Sequence, residues 1–310
     1  MQLLLKVLIR AVVGLALLGV LFGSAWLGGW WWLAFVSVIT LIALDEYYNA
    51  IRLKHIRPDK YLGMLCSILI LIAALVGEDT RMLAGPTTAA APYGTLGQAA
   101  VADVLQITLL VLLFCVAGTL VSQFKLRATS AVVNTATTVF GVVWVGVLLS
   151  FVVRMRYLDI PALAGAEGAS ELAHRLGALL LVIGSVWACD SGAYLAGSLF
   201  GRTKLAPRIS PGKTVEGSVA GLVVAAAVAL AIGAWLGLPA RHCLLLGVMM
   251  GAVGQLGDLG KSVLKRDVGI KDFGSLFGPH GGVLDRFDAI LVCMPLVYWY
   301  FWFLWMDRGA

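Results

Sequence analysis

Residues 217–238 read GSVAGLVVAAAVALAIGAWLGL, an uninterrupted apolar run without a charged residue. A helix needs about 20 mainly apolar residues to cross the hydrocarbon core of a membrane. Eight further apolar runs occur, so the sequence predicts an all-α, polytopic integral membrane protein with about nine transmembrane helices. The predicted spans cover residues 8–27, 29–44, 61–77, 104–123, 130–153, 176–199, 217–238, 243–260 and 287–306.

The composition supports this class of protein. Hydrophobic residues make up 60% of the chain and charged residues only 13%, whereas a soluble domain carries about 25% charged residues. The formal net charge of +6 is therefore interpreted through membrane topology, and no nucleic-acid partner is expected.

The positions of the basic residues predict the orientation. Most of the 23 Lys and Arg residues fall in segments that share one side of the membrane if the chain begins inside, which predicts an N-in/C-out topology. The short chain shows no soluble amino-terminal extension, which suggests a bacterial inner (cell) membrane. The active site is then expected to face the cytoplasm.

Acidic residues are unevenly distributed. The predicted spans up to residue 175 contain almost none away from their ends. We therefore predict a transmembrane scaffold at 1–175 and a transmembrane catalytic region at 176–310. The acids of the second region, all predicted on the cytoplasmic side, are Asp190, Glu216, Asp258, Asp267, Asp272, Asp285 and Asp288.

Asp258 heads the first group of candidate site residues. Asp258, Lys261, Ser262 and Lys265 have the spacing i, i+3, i+4 and i+7, which places them on one face of a helix. An acid embedded in a membrane protein is a candidate functional residue. A salt bridge at the helix end is the structural alternative.

Asp285 and Asp288 form a second pair, spaced i and i+3 at the start of the last span. Mg²⁺ is usually held by one or two carboxylates together with phosphates and waters. Asp258, Asp285 and Asp288 are therefore candidate Mg²⁺ ligands, with capping of the last helix as the alternative for the pair. His280, just before them, is a candidate acid/base or phosphate donor, or a structural residue.

A third group lies between the sixth and seventh predicted spans. Hydroxyl groups, a lysine and free backbone N–H groups at a helix start form a loop suited to phosphate. The alternative is that the basic residues of this loop only reflect the usual enrichment of Lys and Arg in cytoplasmic segments. With the acids, these groups indicate phosphoryl or nucleotidyl transfer at the membrane surface. The residues concerned are Asp190, Lys204, Arg208, Ser210, Lys213, Thr214 and Glu216.

The stretch 262–288 reads SVLKRDVGIKDFGSLFGPHGGVLDRFD. It resembles the signature of the phosphatidate cytidylyltransferase (CDP-diacylglycerol synthase) family, and residues 190–217 are similar to that family's second motif. The close matches cover about 190–217 and 255–288, so the long motif includes Asp258. The resemblance implies an all-helical membrane enzyme that transfers CMP from CTP to phosphatidic acid. CDP-diacylglycerol and pyrophosphate are the implied products, Mg²⁺ the implied cofactor, and a homodimer the implied assembly.

The resemblance also implies functions for individual residues. Asp258 and Asp285 are the leading Mg²⁺ ligands, with Asp288 in support. Asp190 and Glu216 are expected to hold a second cation or to orient the basic residues. The candidates for the triphosphate or pyrophosphate charge are Lys265, Arg266 and Arg286, with His280 as a further catalytic candidate. The candidates for substrate binding are Ser210, Lys213, Thr214, Lys204, Arg208, Ser262, Lys271, Gly281 and Gly282.

Three other functions are weighed against this one. A CTP-dependent polyprenol kinase would transfer the γ-phosphate, and an ether-lipid CDP synthase would use another lipid. The intact long motif argues against both. An anion transporter would carry ionisable groups near the midplane, often in two matching halves, whereas the charges of this sequence are expected at one side of the membrane.

Overall fold

The computed structural model describes residues 18–83, 95–126, 130–276 and 281–307. Residues 8–17 of the first predicted span and the candidate His280 lie outside the described residues. The helices are α1 Leu18–Leu27, α2 Gly29–Arg52, α3 Lys60–Leu83, α4 Thr95–Leu126, α5 Ala131–Gly141, a π-helical turn Val142–Val147, α6 Leu148–Met155, α7 Ile160–Ala164, α8 Glu171–Phe200, α9 Val215–Trp235, α10 Ala240–Val268 and α11 Leu284–Asp307.

The described residues contain eight helical segments that are long and apolar enough to cross a membrane. They correspond to the second through ninth predicted spans, which confirms the all-helical, polytopic fold. The first predicted span is described only from its residue 18, where it forms the short apolar helix α1. The eight segments are Gly29–Arg52, Lys60–Glu78, Asp103–Phe124, Ala131–Met155, Glu171–Phe200, Val215–Trp235, Ala240–Val268 and Leu284–Leu304.

The helices extend beyond the predicted apolar cores. Helix α10 continues past the predicted end at residue 260 to Val268, because the apolar run marks only the part of a helix that can cross the hydrocarbon core, and backbone hydrogen bonding continues through polar residues. It ends at Gly269, whose φ of 82° is the left-handed conformation typical of a helix C-cap. The extension places Asp258, Lys261 and Lys265 on one continuous helix, as the spacing predicts.

A two-stranded antiparallel hairpin precedes α9. Strand β1 covers Lys204–Ala206, and β2 covers Ser210–Thr214. Thr214 then caps α9, because its hydroxyl oxygen accepts a hydrogen bond from the Gly217 N–H at 3.2 Å. The sequence predicted only a loop in this region, since strands this short carry no recognisable alternation.

Helices α8 and α9 approach each other through glycine. A Cβ on Gly217 would lie 2.6 Å from the carbonyl oxygen of Ala193, and one on Gly221 would lie 2.7 Å from that of Cys189. Such small residues let helix backbones pack closely in membrane proteins. The close contact holds Asp190 on α8 near the hairpin that leads into α9.

A buried polar group joins α3, α6 and α11. The Tyr298 hydroxyl donates to Glu78 Oε1 at 2.9 Å, and Arg154 Nε lies 3.8 Å from the same oxygen. All three side chains are buried. Burial of a polar or charged group costs free energy, and the contacts among these three side chains offset part of that cost. Helix α11 is thereby attached to helices of the first 175 residues, and the division into scaffold and catalytic region stays a prediction.

Candidate active site

Acidic and basic side chains alternate where the hairpin, α10 and α11 meet. We call this group the ionic cluster. It joins the two sequence motifs that are separated along the chain by most of α9 and α10. Its members are Lys213, Asp258, Lys261, Lys265, Asp285 and Asp288.

Lys261 lies at the centre of the ionic cluster. Its Nζ is 3.1 Å from Asp258 Oδ1, contacts the Asp288 carboxylate and donates to the backbone carbonyl of Asp285 at 3.0 Å. Only 4% of its side chain is exposed. A buried ammonium is tolerated only when it is paired, so Lys261 requires both acids and holds α10 against α11.

The hairpin is attached to α10 at two points. Lys213 Nζ lies 2.5 Å from Asp258 Oδ2, and Arg266 Nε donates to the carbonyl of Ile209 at 3.1 Å. The contact between Lys213 and Asp258 brings a cation of the second motif to an acid of the long motif. The second contact uses Arg266, a predicted triphosphate ligand, to hold the hairpin backbone.

Asp285 organises the loop that precedes α11. Its Oδ1 accepts a hydrogen bond from Lys265 Nζ at 2.9 Å. Its Oδ2 accepts from the backbone N–H groups of Phe273 at 2.9 Å and Gly282 at 3.1 Å. Both carboxylate oxygens are therefore engaged by groups of the protein, and the two N–H donors belong to the segment before α11.

All three predicted Mg²⁺ ligands lie near the Lys261 ammonium group, and the longest of these contacts is the 3.9 Å between Lys261 Nζ and Asp285 Oδ1. Within the described ranges, no group of three His, Cys, Asp or Glu side chains is placed to hold a metal ion. The structure therefore groups all three predicted Mg²⁺ ligands around Lys261, and Asp285 also accepts hydrogen bonds from two backbone N–H groups. Carboxylate oxygens of this kind suit Mg²⁺, which needs only one or two of them beside substrate phosphates.

The glycines of the long motif pack against carboxylates. Gly281 has a φ of 82°, and a Cβ there would lie 2.8 Å from Asp285 Oδ2. A Cβ on Gly282 or Gly274 would overlap the carboxylate of Glu46. Gly281 and Gly282 are buried, so their small size is required by contacts within the protein.

Glu46, at the end of α2, was not among the predicted site residues. Its Oε1 accepts from the Val283 N–H at 3.0 Å, and its Oε2 accepts from the Leu284 N–H at 2.9 Å. Because the predicted second span ended at residue 44, Glu46 fell just outside it and was not considered. An acid directly after an apolar run was the available signal, and it does not reveal a partner 237 positions away.

Other predicted residues support the backbone around the ionic cluster. Glu216 accepts hydrogen bonds from the N–H groups of Arg202 and Thr203, and Thr214 caps α9. Ser262 is buried on α10. Asp190 is exposed and lies within electrostatic range of Asp258, Lys213 and Lys261.

Three predicted substrate-binding cations and Arg286, a candidate for the triphosphate or pyrophosphate charge, are exposed and form no salt bridge within the described part of the chain. Their exposed side chains are therefore available to an anionic ligand. Ser210 is half-buried at the start of β2. The four cations are Lys204, Arg208, Lys271 and Arg286.

An apolar cavity of about 470 Å³ extends from the ionic cluster between α5, the π-helical turn, α10 and α11. Lys261 is its one charged lining residue among the described residues. Such a cavity suits a hydrocarbon chain whose polar end is at the ionic cluster. It is lined by Phe140, Trp144, Val253, Leu256, Gly257, Gly260, Lys261, Leu264 and Val292.

Comparison with known proteins adds an independent finding. Residues 8–304 match the sequence profile of the Cytidylyltransferase family. The chain is similar to the phosphatidate cytidylyltransferase of Synechocystis sp., with 33% identity over 309 residues that cover 94% of each chain. It is also similar to proteins of that name from Staphylococcus aureus strain COL, with 30% identity over 87% of this chain and 89% of the relative, and from Bacillus subtilis, with 46% identity over 36% of this chain and 43% of the relative.

Proposed function

This chain belongs to the cytidylyltransferase family, and we propose that it transfers CMP from CTP to phosphatidic acid. The products are CDP-diacylglycerol and pyrophosphate. The ionic cluster is the observation that carries this proposal beyond family membership. It joins cations that attract phosphates with acids that attract a divalent cation, at the end of a cavity suited to a lipid chain.

The chemistry requires no nucleophile from the protein. A phosphate oxygen of the lipid attacks the α-phosphorus of CTP, a new P–O bond forms, and the bond to the bridging oxygen of pyrophosphate breaks. The leaving group carries the electron pair of that bond as negative charge. Catalysis then consists of aligning two anions and neutralising their charge, which Lys213 and the exposed cations near the hairpin and the loop before α11 can do.

Asp258 and Asp288 are the residues that would hold Mg²⁺, while Asp285 positions the loop. A bound Mg²⁺ supplies charge neutralisation for the phosphates. The protein's own contribution is to keep the two carboxylates together before substrate arrives, through their common contact with Lys261. Asp190 is the remaining nearby acid for the predicted second cation.

The cavity beside Lys261 supports entry of the lipid from the membrane. Its lining comes from α5, the π-helical turn, α10 and α11, all within helical segments long and apolar enough to cross a membrane. An acyl chain held there would keep the lipid phosphate near the ionic cluster. This arrangement explains why the reaction is carried out by an integral membrane protein.

The topology that accompanies this function is N-in/C-out, in a bacterial inner membrane, with the ionic cluster facing the cytoplasm. The exposed cations support this orientation, because they share the site's side of the protein and cytoplasmic segments are enriched in Lys and Arg. The homodimer stays an expectation from the family resemblance.

Labelled CTP tests the reaction. Purified protein in detergent receives phosphatidic acid, Mg²⁺ and CTP labelled at either the α- or the γ-phosphate. We expect the α-label in the lipid product and the γ-label in pyrophosphate. Transfer of the γ-label to lipid would instead identify a kinase, and movement of neither label with any divalent cation would reject the enzymatic function on this substrate.

A further inference from the structure

Glu46 connects the first transmembrane half to the start of the last helix. Its side chain is only 8% exposed, and both carboxylate oxygens accept hydrogen bonds from consecutive backbone N–H groups, those of Val283 and Leu284. The first N–H groups of a helix have no partner within the helix. Glu46 thus caps α11 from a residue more than 200 positions earlier in the chain.

The surrounding loop is built to admit this carboxylate. Gly274 and Gly282 both face it, and a Cβ at either position would overlap its atoms. The Gly282 N–H donates to Asp285 Oδ2 on the other side. The segment at Gly282 is therefore held between two acids, one from α2 and one from α11.

The first turn of α11 carries the groups that complete the ionic cluster. Asp285 follows Leu284 directly and binds Lys265, and Asp288, one turn later, contacts Lys261. Any rotation or retreat of the first turn would move both acids relative to α10. The Glu46 carboxylate opposes such movement, because charge-assisted hydrogen bonds are short and directional.

We propose that Glu46 is a positioning residue for nucleotidyl transfer, which acts by holding the start of α11 so that Asp288 and Asp285 stay in register with Lys261 and Lys265. This inference rests on the proposed function. It assigns to the first 175 residues a direct part in shaping the active site. Glu46 itself contacts backbone groups and needs no contact with substrate.

Glu46→Gln is the informative substitution, because it keeps the size of the side chain and replaces one acceptor oxygen with an NH₂ group that cannot accept from an N–H. We expect kcat to fall at least about tenfold, with the KM for CTP within about threefold of wild type, since misplacement without loss of binding groups affects the reacting geometry. Glu46→Asp keeps the charge on a shorter side chain and should retain more activity than Glu46→Gln. Glu171→Gln, an exposed acid in an i,i+4 pair on α8, is the matched control.

Hydrogen–deuterium exchange supplies a readout that does not depend on activity. Peptides that contain Val283 and Leu284 should take up deuterium faster in Glu46→Gln than in wild type. The same peptides in Glu171→Gln should exchange at the wild-type rate. Unchanged exchange, or faster exchange with wild-type kcat, would overturn the inference. Failure of the wild type itself to transfer the α-label would reject the proposed function alone, and the exchange result would still decide whether Glu46 holds α11.

Discussion

Asp258→Asn is expected to lower kcat for CDP-diacylglycerol formation by about 10³-fold, the upper range for loss of one preorganised electrostatic group. Asp258 is in contact with both Lys213 and Lys261, so it joins the hairpin to α10. Asparagine has the same shape without the negative charge, so Lys213 would lose its carboxylate partner and Lys261 would lose one of its two. Steady-state release of pyrophosphate, measured per mole of folded protein, provides the rate.

Asp267→Asn is the matched control for this prediction. Asp267 lies on the same helix, and its carboxylate pairs with Lys54 at 2.6 Å with 65% of the side chain exposed. An exposed pair contributes at most about 1 kcal/mol, so the control should keep wild-type activity. Equal losses in the two variants would contradict a specific function for Asp258.

Lys261→Met is expected to lower kcat at least about 100-fold, because it removes the preorganised ammonium group that neutralises the charge of Asp258 and Asp288. The substitution removes the cation that contacts Asp258 and Asp288. Removal of one partner of a buried ion pair costs about 3–5 kcal/mol of folding free energy. The melting temperature in the absence of divalent cations should therefore fall.

Mg²⁺ should restore more stability to Lys261→Met than to wild type. The lysine ammonium group and a divalent cation compete for the same carboxylate oxygens. Removal of the lysine side-chain charge therefore leaves these oxygens free to bind Mg²⁺. Binding of Mg²⁺ to the folded state raises the stability of the protein. Thermal unfolding of the detergent-solubilised protein, with and without Mg²⁺, measures the difference. Lys54→Met, at a half-exposed surface pair, is the control. An equal Mg²⁺ shift in the wild type and in Lys261→Met would show that Mg²⁺ does not bind at Asp258 and Asp288.

The membrane-spanning helices could be predicted because their signal is local. A long apolar run specifies a span whatever its neighbours are, and the second through ninth predicted spans correspond to observed helices. The i, i+3 and i+7 spacing of Asp258, Lys261 and Lys265 also depends only on the helix that carries them. The family was recognised from the same local motifs, and the profile match confirmed it.

The partners of each charge could not be predicted, because they come from distant parts of the chain. Asp285 was predicted as an Mg²⁺ ligand from its local spacing, and that spacing did not reveal its contacts with Lys265 and with two backbone N–H groups. Lys261, which appeared only as one member of a helix face, is the buried centre of the cluster. Glu46 was missed for the same reason, since its contacts with Val283 and Leu284 exist only in the folded protein.

The central claim is that the two motifs act as one transfer site through the contact between Lys213 and Asp258. The most direct test is the rate of α-label transfer from CTP to phosphatidic acid by wild type, Lys213→Gln, Asp258→Asn and the double variant. Residues that act as a unit show strongly non-additive effects. We therefore predict that the rate of the double variant lies within about threefold of the rate of the slower single variant. A double variant whose loss equals the product of the two single losses would show that the motifs act independently, and would contradict the account.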